Sequence, residues 1–368
     1  MKKTLGIIIN NQSNNLMPLT GHRNPITLPF FARYRLIDFA LSNMVNSKIA
    51  KIGIVASDKY RSLLDHVGTG QEWGLSRKSQ SLVILQGTRR LEQSDRPQIN
   101  IMDFQNNRMV FERSRIDNVL LAAPDVVCRI NYDTVVNAHD EMGGDITLVS
   151  RNLRDVEEEE NNLYMKVDDA CNVLKMQYNS REGCNKRLAS KMILTKRIML
   201  KILDIAGEIG EYEIINLIMS NLDYFKVKCY TYDGYMRKIM NISDYYNASM
   251  ELLDTDIACE LFSRDDIVYT KIKDNHPTLY KKSSKVKRAA VASGSVIYGE
   301  VENSILFRNI KQSKGSVVTN SILMEGCKLG ENVVLDYVIA DRNVIISDNI
   351  VIKGTKDTPV VLQKETVL

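Results

Sequence analysis

The apolar run at residues 5–9, Leu-Gly-Ile-Ile-Ile, is followed at once by Asn10-Asn11-Gln12-Ser13-Asn14-Asn15-Leu16. A short run rich in β-branched residues reads as a buried strand of a parallel sheet. The turn at the carboxyl end of such a strand is where a doubly wound fold binds phosphates. That chemistry rests on glycines, whose missing Cβ lets backbone N–H groups close on the phosphate. This turn contains no glycine. Asn10, Asn11, Asn14 and Asn15 can reach left-handed backbone angles, but each puts a side chain where a phosphate would lie. No metal chemistry is written into the spacing elsewhere. His22, His139 and His276 have no partner at ligand spacing, and the six cysteines form no C-x-x-C pair, which suits reduced thiols in the cytoplasm.

The elements around the turn follow an α/β alternation. Residues 35–49 place Ile37, Ala40, Leu41, Met44 and Val45 on one helical face, and residues 52–56 read as the next strand, completing a βαβ unit. His66 and the glycines after it hold a turn, with Trp73 as a packing residue. Further strands are expected at 82–85, 119–123, 146–150, 192–195 and 227–230, a helix at 109–118, and a polar loop at 86–107. The alternation predicts a doubly wound α/β domain, mostly parallel, with helices on both faces. Residues 271–288 are basic and irregular, with Pro277 as a breaker, and read as a linker. Beyond them the apolar period becomes six, at Val317, Leu323, Leu329 and Leu335 and again at Val333, Ile339, Ile345 and Val351. A six-residue period predicts a parallel β-helix with one aliphatic residue per wall turned inward. The division expected is 1–255, a linker at 256–290, and the β-helix at 291–368. A formal net charge of +4 with no charge block argues against nucleic-acid binding, and no apolar run is long enough to span a bilayer.

Three stretches carry a resemblance to a known family: Tyr34-Arg35-Leu36-Ile37-Asp38-Phe39-Ala40-Leu41-Ser42-Asn43, then His66-Val-Gly-Thr-Gly-Gln-Glu-Trp-Gly-Leu75, and Gly299-Glu-Val-Glu-Asn-Ser-Ile-Leu-Phe-Arg308. The chain resembles ADP-glucose pyrophosphorylase (glucose-1-phosphate adenylyltransferase) over nearly its whole length. The resemblance implies a nucleotidyltransferase domain, a C-terminal left-handed parallel β-helix and assembly as a tetramer. It also implies a reaction joining ATP and glucose 1-phosphate with release of pyrophosphate, assisted by Mg²⁺.

The departures from the family pattern bear on activity. Its G-G-x-G-x-R-L loop falls on residues 10–16, with Asn15 in place of the arginine, and Pro25 stands where a lysine contacts phosphates. Proline supplies neither charge nor N–H. The S-G-D-H-I-Y segment falls on residues 123–128, so Asp125 takes the place of one metal-binding aspartate. The W-[KR]-D-V-G-T segment falls on residues 236–241 and puts Lys238 in place of the other. At about 4 Å and an effective dielectric near 20, two unit charges interact by roughly 4 kcal/mol, so Lys238 should repel Mg²⁺ and pair with Asp125 in its stead. The sugar-contacting F-x-E-K-P segment falls on residues 176–180 and keeps neither acid nor lysine. Arg33 and Arg35 match basic positions near the family's effector sites, which leaves two readings: an anionic sugar phosphate held there, or arginines before a helix that are only solvated or salt-bridged.

The expected function is therefore a regulatory, catalytically deficient subunit of glucose-1-phosphate adenylyltransferase in glycogen biosynthesis. Its expected partner is the catalytic subunit, in a hetero-oligomer of tetrameric size. No cofactor is expected, since Mg²⁺ would serve the catalytic partner. The alternatives are an active adenylyltransferase with an unusual site, or a β-helix scaffold. An acyltransferase is disfavoured because the chain has no histidine after His276.

Overall fold

Strand Thr4–Ile8 pairs in parallel with Lys51–Ala56 on one side and Asn118–Ala122 on the other, and Lys51–Ala56 pairs in parallel with Gln80–Gln86. The first three are apolar runs of the sequence, buried on both faces as a parallel core requires, whereas Gln80–Gln86 is partly exposed. Gly6 lets the layer above approach closely, for a Cβ there would stand 2.6 Å from the Met44 sulfur. The computed structural model describes residues 3–9, 16–56, 59–77, 80–88, 99–153, 162–262 and 265–368. The asparagine-rich turn at 10–15, Asn15 included, lies outside the described residues.

Beyond Asn118–Ala122 the sheet becomes mixed. Lys186–Thr195 runs antiparallel to both Asn118–Ala122 and Ile146–Asn152, and Leu163–Val167 pairs antiparallel with Val173–Tyr178. Residues 168–172, which join that last pair, are too few for the crossover a parallel pair needs. Val227–Thr231 then adds in parallel to Ile146–Asn152. The expected polar loop at 86–107 contains a helix, Ile101–Gln105, started by the Asn100 side chain accepting from the Met102 N–H at 2.9 Å. The expected helix at 109–118 is Arg108–Arg113, stopped at Ser114, which is extended. Trp73 is buried and meets His66 edge-on at 5.9 Å, between Gly70 and Gly74, both left-handed. None of the described helices is long and apolar enough to cross a membrane.

Two compact units divide the chain, and neither is one run of sequence. The first holds residues 1–14, 39–236 and 264–269; the second holds 15–38, 237–263 and 270–368. The second is a parallel β-helix with additions from earlier in the chain. Its parallel strands begin at Leu279–Tyr280 and Lys285–Val291, and helix Thr255–Leu261 precedes them. Helix Ile242–Glu251 starts in a capping box of Asn241 and Asp244. It holds the hairpin Pro29–Phe30/Tyr34–Arg35 through the Tyr245 hydroxyl, which donates to Pro29 O at 2.9 Å, and the coils through Tyr246, which donates to Asn320 O at 2.7 Å.

The coils correct the six-residue register in detail. Val301, Val318 and Leu335 stack inward, paired in register along one wall, so a coil there advances by 17 residues rather than 18. A strict period of six slips by one position at each coil. Leu323, Leu329, Leu335, Val333 and Ile339 are buried as expected, but Val317 yields to Val318, Ile345 to Ile346, and Val351 is exposed. The corners use left-handed Asn309, Asn332, Asn343 and Asn349, a conformation asparagine tolerates. Gly315 sits at such a corner with φ +71, and a Cβ there would collide with Asn332 Oδ1. Gly315→Ala is therefore expected to destabilise the β-helix by about 1–3 kcal/mol, read as a lower denaturation midpoint.

Candidate functional site

In the first unit, strand Asn118–Ala122 ends in Ala123-Pro124-Asp125, at the carboxyl end of the parallel core where an α/β sheet places its ligand. The Asp125 carboxylate oxygens are buried. Across the strand pair, Lys191 is in register with Ala122, and the Ser190 carbonyl accepts from the Ala123 N–H at 3.1 Å. Lys191 is 2% exposed. Its ammonium acts on the Cys128 thiol and favours the anion, yet burial dominates and pushes that thiol up. Lys191 Nζ makes no hydrogen bond among the described residues. A desolvated ammonium with only a neutral thiol to answer it is costly, and it holds positive charge at the strand end that the sequence offered for Mg²⁺.

The second unit carries a cationic pocket. Its hairpin turn bends through left-handed Phe31 and Ala32, angles unusual for residues with a Cβ. Arg33 follows at the turn, donating to the Tyr34 hydroxyl at 2.9 Å with its guanidinium 5.0 Å over the Tyr34 ring. Phe262 stacks on Phe31 at 5.5 Å and on Tyr34 at 5.2 Å. Arg33, Lys271, Lys273 and Arg308 line a cavity of about 600 Å³ together with these aromatic rings, large enough for a small organic anion. Burial pulls the Arg308 guanidinium below its ordinary value against the opposing pull of Glu325, and the Arg33 charge adds to the lowering. Glu325 accepts from Lys273 at 2.5 Å and from Arg342 at 2.8 Å. Burial opposes its ionisation, but Lys273, Arg342 and Arg308 outweigh that and hold its carboxyl below the usual range.

Arg33 and Arg35, paired in the sequence reading, separate in the structure. Arg35 does not line this cavity. Burial lowers it to about 10, and repulsion from Arg342 and Arg23 is only partly offset by Asp38 and Glu325. Arg308, Lys271 and Lys273 were missed as site residues. The signal was present as the basic character of the stretch from Lys271, but it read as a linker.

Comparison with known proteins gives the same two-part organisation. Residues 12–177 match the nucleotidyl transferase family, and residues 275–358 match the GlmU-like C-terminal hexapeptide family. The glycogen biosynthesis protein GlgD of Geobacillus stearothermophilus is 36% identical, covering 99% of this chain and 97% of that protein. GlgD of Bacillus subtilis (strain 168) is 32% identical, over 96% of this chain and 93% of its own length. The chain belongs to the GlgD family. A glucose-1-phosphate adenylyltransferase of Bacillus thuringiensis (strain Al Hakam) is more distant, at 24% identity over 95% of this chain and 94% of its own.

The positions at which this GlgD family member departs from the adenylyltransferase pattern have local structural roles. Pro25 opens the 3-10 turn Pro25–Thr27, with the Asn24 side chain accepting from the Ile26 N–H at 3.2 Å; proline suits that first position because its N–H would go unused there. The segment at 176–180 spans the end of strand Val173–Tyr178 and the turn after it, where Gln177 Nε2 donates to Ser180 O at 3.0 Å and Glu182 O at 2.9 Å. The Gln177 amide is thus taken up within the turn. Lys238 ends strand Met236–Lys238 and belongs to the second unit, whereas Asp125 belongs to the first. The surroundings of Asp125 fit Mg²⁺ poorly, because the buried Lys191 ammonium at the same strand end opposes a divalent charge.

Proposed function

We propose that the chain is a regulatory, catalytically deficient subunit of glucose-1-phosphate adenylyltransferase, acting in cytoplasmic glycogen biosynthesis through a catalytic partner rather than by its own turnover. The observation that carries this reading is buried Lys191 at the strand end, in register with Ala122 three residues before Asp125; Lys238 stands at the sequence position that the resemblance gives to a second aspartate. Nucleotidyl transfer needs a divalent ion across the phosphates, and these cations stand against it. Membership of the GlgD family, itself related to the adenylyltransferases, supports a partner of that type in a hetero-oligomer of tetrameric size. The cavity of Arg33, Lys271, Lys273 and Arg308 is the effector pocket in this account. A sugar phosphate there would be held by charge-assisted hydrogen bonds, with Tyr34 and Phe262 against its carbon face.

A subunit without turnover changes its partner's output by binding one partner conformation better than another, and about 1.4 kcal/mol of preference gives a tenfold change. The purified chain is expected to form no ADP-glucose from ATP and glucose 1-phosphate. Mixed with the catalytic subunit, it should raise that subunit's rate above its rate alone. A sugar-phosphate response of the mixture should be lost in Arg33→Ala. Turnover by the purified chain, or a mixture no faster than the partner by itself, would contradict the proposal.

A further inference from the structure

We propose that the first unit holds a second small-molecule site, at the amino ends of its parallel strands, that takes a phosphorylated metabolite. This place is the opposite end of the sheet from Ile8 and Asp125, so it is not the inherited catalytic region. A cavity of about 600 Å³ opens there. Lys3, Lys48, Lys51, Arg113 and Arg115 line it against a single carboxylate, Asp133. All five cations are exposed, and none is in an ion pair among the described residues. Lys48 faces Asp133, lowering its pKa against a stronger rise from burial. Apart from that contact, no carboxylate of the lining answers the positive charge of the rim.

The floor gives the second argument. Ile49, Ile116 and Val136 make it apolar, and Thr4 brings a hydroxyl to it. Thr4 Oγ1 is buried without a hydrogen bond among the described residues. Asn118 is the register partner of Thr4 in the parallel pair, so the two side chains share a face of the sheet. Asn118 is 1% exposed, and both its amide oxygen and its amide nitrogen are buried without a hydrogen bond. Thr4 lines the cavity and Asn118 does not; unanswered polar atoms of this kind are rare in a native interior, and the Thr4 hydroxyl is the one a ligand in the cavity would meet. The Thr4 hydroxyl offers both a donor and an acceptor, matching a hydroxylated body. The rim of lysines and arginines matches a phosphate, with the guanidinium groups able to grip it through two hydrogen bonds each. Water alone would satisfy the floor but leave the rim unexplained.

The test is calorimetric titration of the purified full-length chain with inorganic phosphate, glucose 1-phosphate and AMP in turn, at physiological ionic strength. At least one of the two organic phosphates is expected to bind more tightly than inorganic phosphate. Its affinity should fall about tenfold or more, or roughly 1.4 kcal/mol, both in Arg115→Glu at the rim and in Thr4→Val on the floor, and stay unchanged in Arg33→Ala. Should Thr4→Val not fold, Arg115→Glu changes an exposed side chain and still decides. No heat with any probe, equal binding of all three, or loss of binding only in Arg33→Ala would overturn the site. So would a crystal soaked in the organic phosphates that shows ordered water alone against Thr4 and the rim.

Discussion

Replacing Asp341 by alanine is expected to cost the β-helix unit about 3–5 kcal/mol, the penalty of leaving a buried charge without its partner. Arg23 Nη2 and Asp341 Oδ1 stand 2.6 Å apart with side-chain exposures of 7% and 2%. Among the described residues the rest of the guanidinium has only the Met324 sulfur, at 3.5 Å. Asp341 also accepts from the Arg342 N–H at 2.6 Å, so its loss frees a backbone donor as well. Denaturant unfolding of Asp341→Ala should therefore show a midpoint far below that of the parent, while Arg23→Met/Asp341→Leu should recover most of the loss, since a well-packed apolar pair substitutes for a buried ion pair at little cost. A single variant as stable as the parent would mean that the pair is solvated and that the amino-terminal segment is not fastened to the coils in this way.

Lys191→Met should act in the opposite sense. Most core substitutions destabilise, but this one removes an ammonium that is buried and makes no hydrogen bond among the described residues, and methionine keeps the length of the stem. A gain of about 1–3 kcal/mol is expected, read as a thermal midpoint higher by several degrees. The Cys128 thiol should become still harder to ionise, because the lysine charge now favours its anion. A fall in stability would show that Lys191 has an anionic partner after all, and the picture of an obstructing cation at the strand end would have to be abandoned.

Much of the sheet was legible because a strand buried on both faces writes itself as an uninterrupted apolar run, as at 5–9, 52–56 and 119–123. Lys191 was not. It stands in Ala-Ser-Lys-Met, where a lysine reads as solvated, and only pairing with Ala122 takes it into the interior. The coil length escaped for a different reason: six-residue spacing marks a β-helix, but a 17-residue coil moves the inward position from Val317 to Val318 and from Ile345 to Ile346. Arg33 and Arg35 looked equivalent two residues apart, until the left-handed turn at Phe31 and Ala32 put one at a cavity and the other among Arg23 and Arg342. The assembly of residues 15–38 with the coils left no local signal, since its fastenings, Arg23 to Asp341 and Tyr245 to Pro29, join positions hundreds of residues apart.

The central claim, that the inherited nucleotide site no longer functions, is tested most directly by titrating Mg²⁺-ATP into the purified chain and following the heat. The account predicts no saturable binding that depends on Mg²⁺, in the parent and in Lys238→Ala alike, because Lys191 remains in place. One-to-one binding that requires Mg²⁺ and is abolished by Asp125→Asn would contradict it.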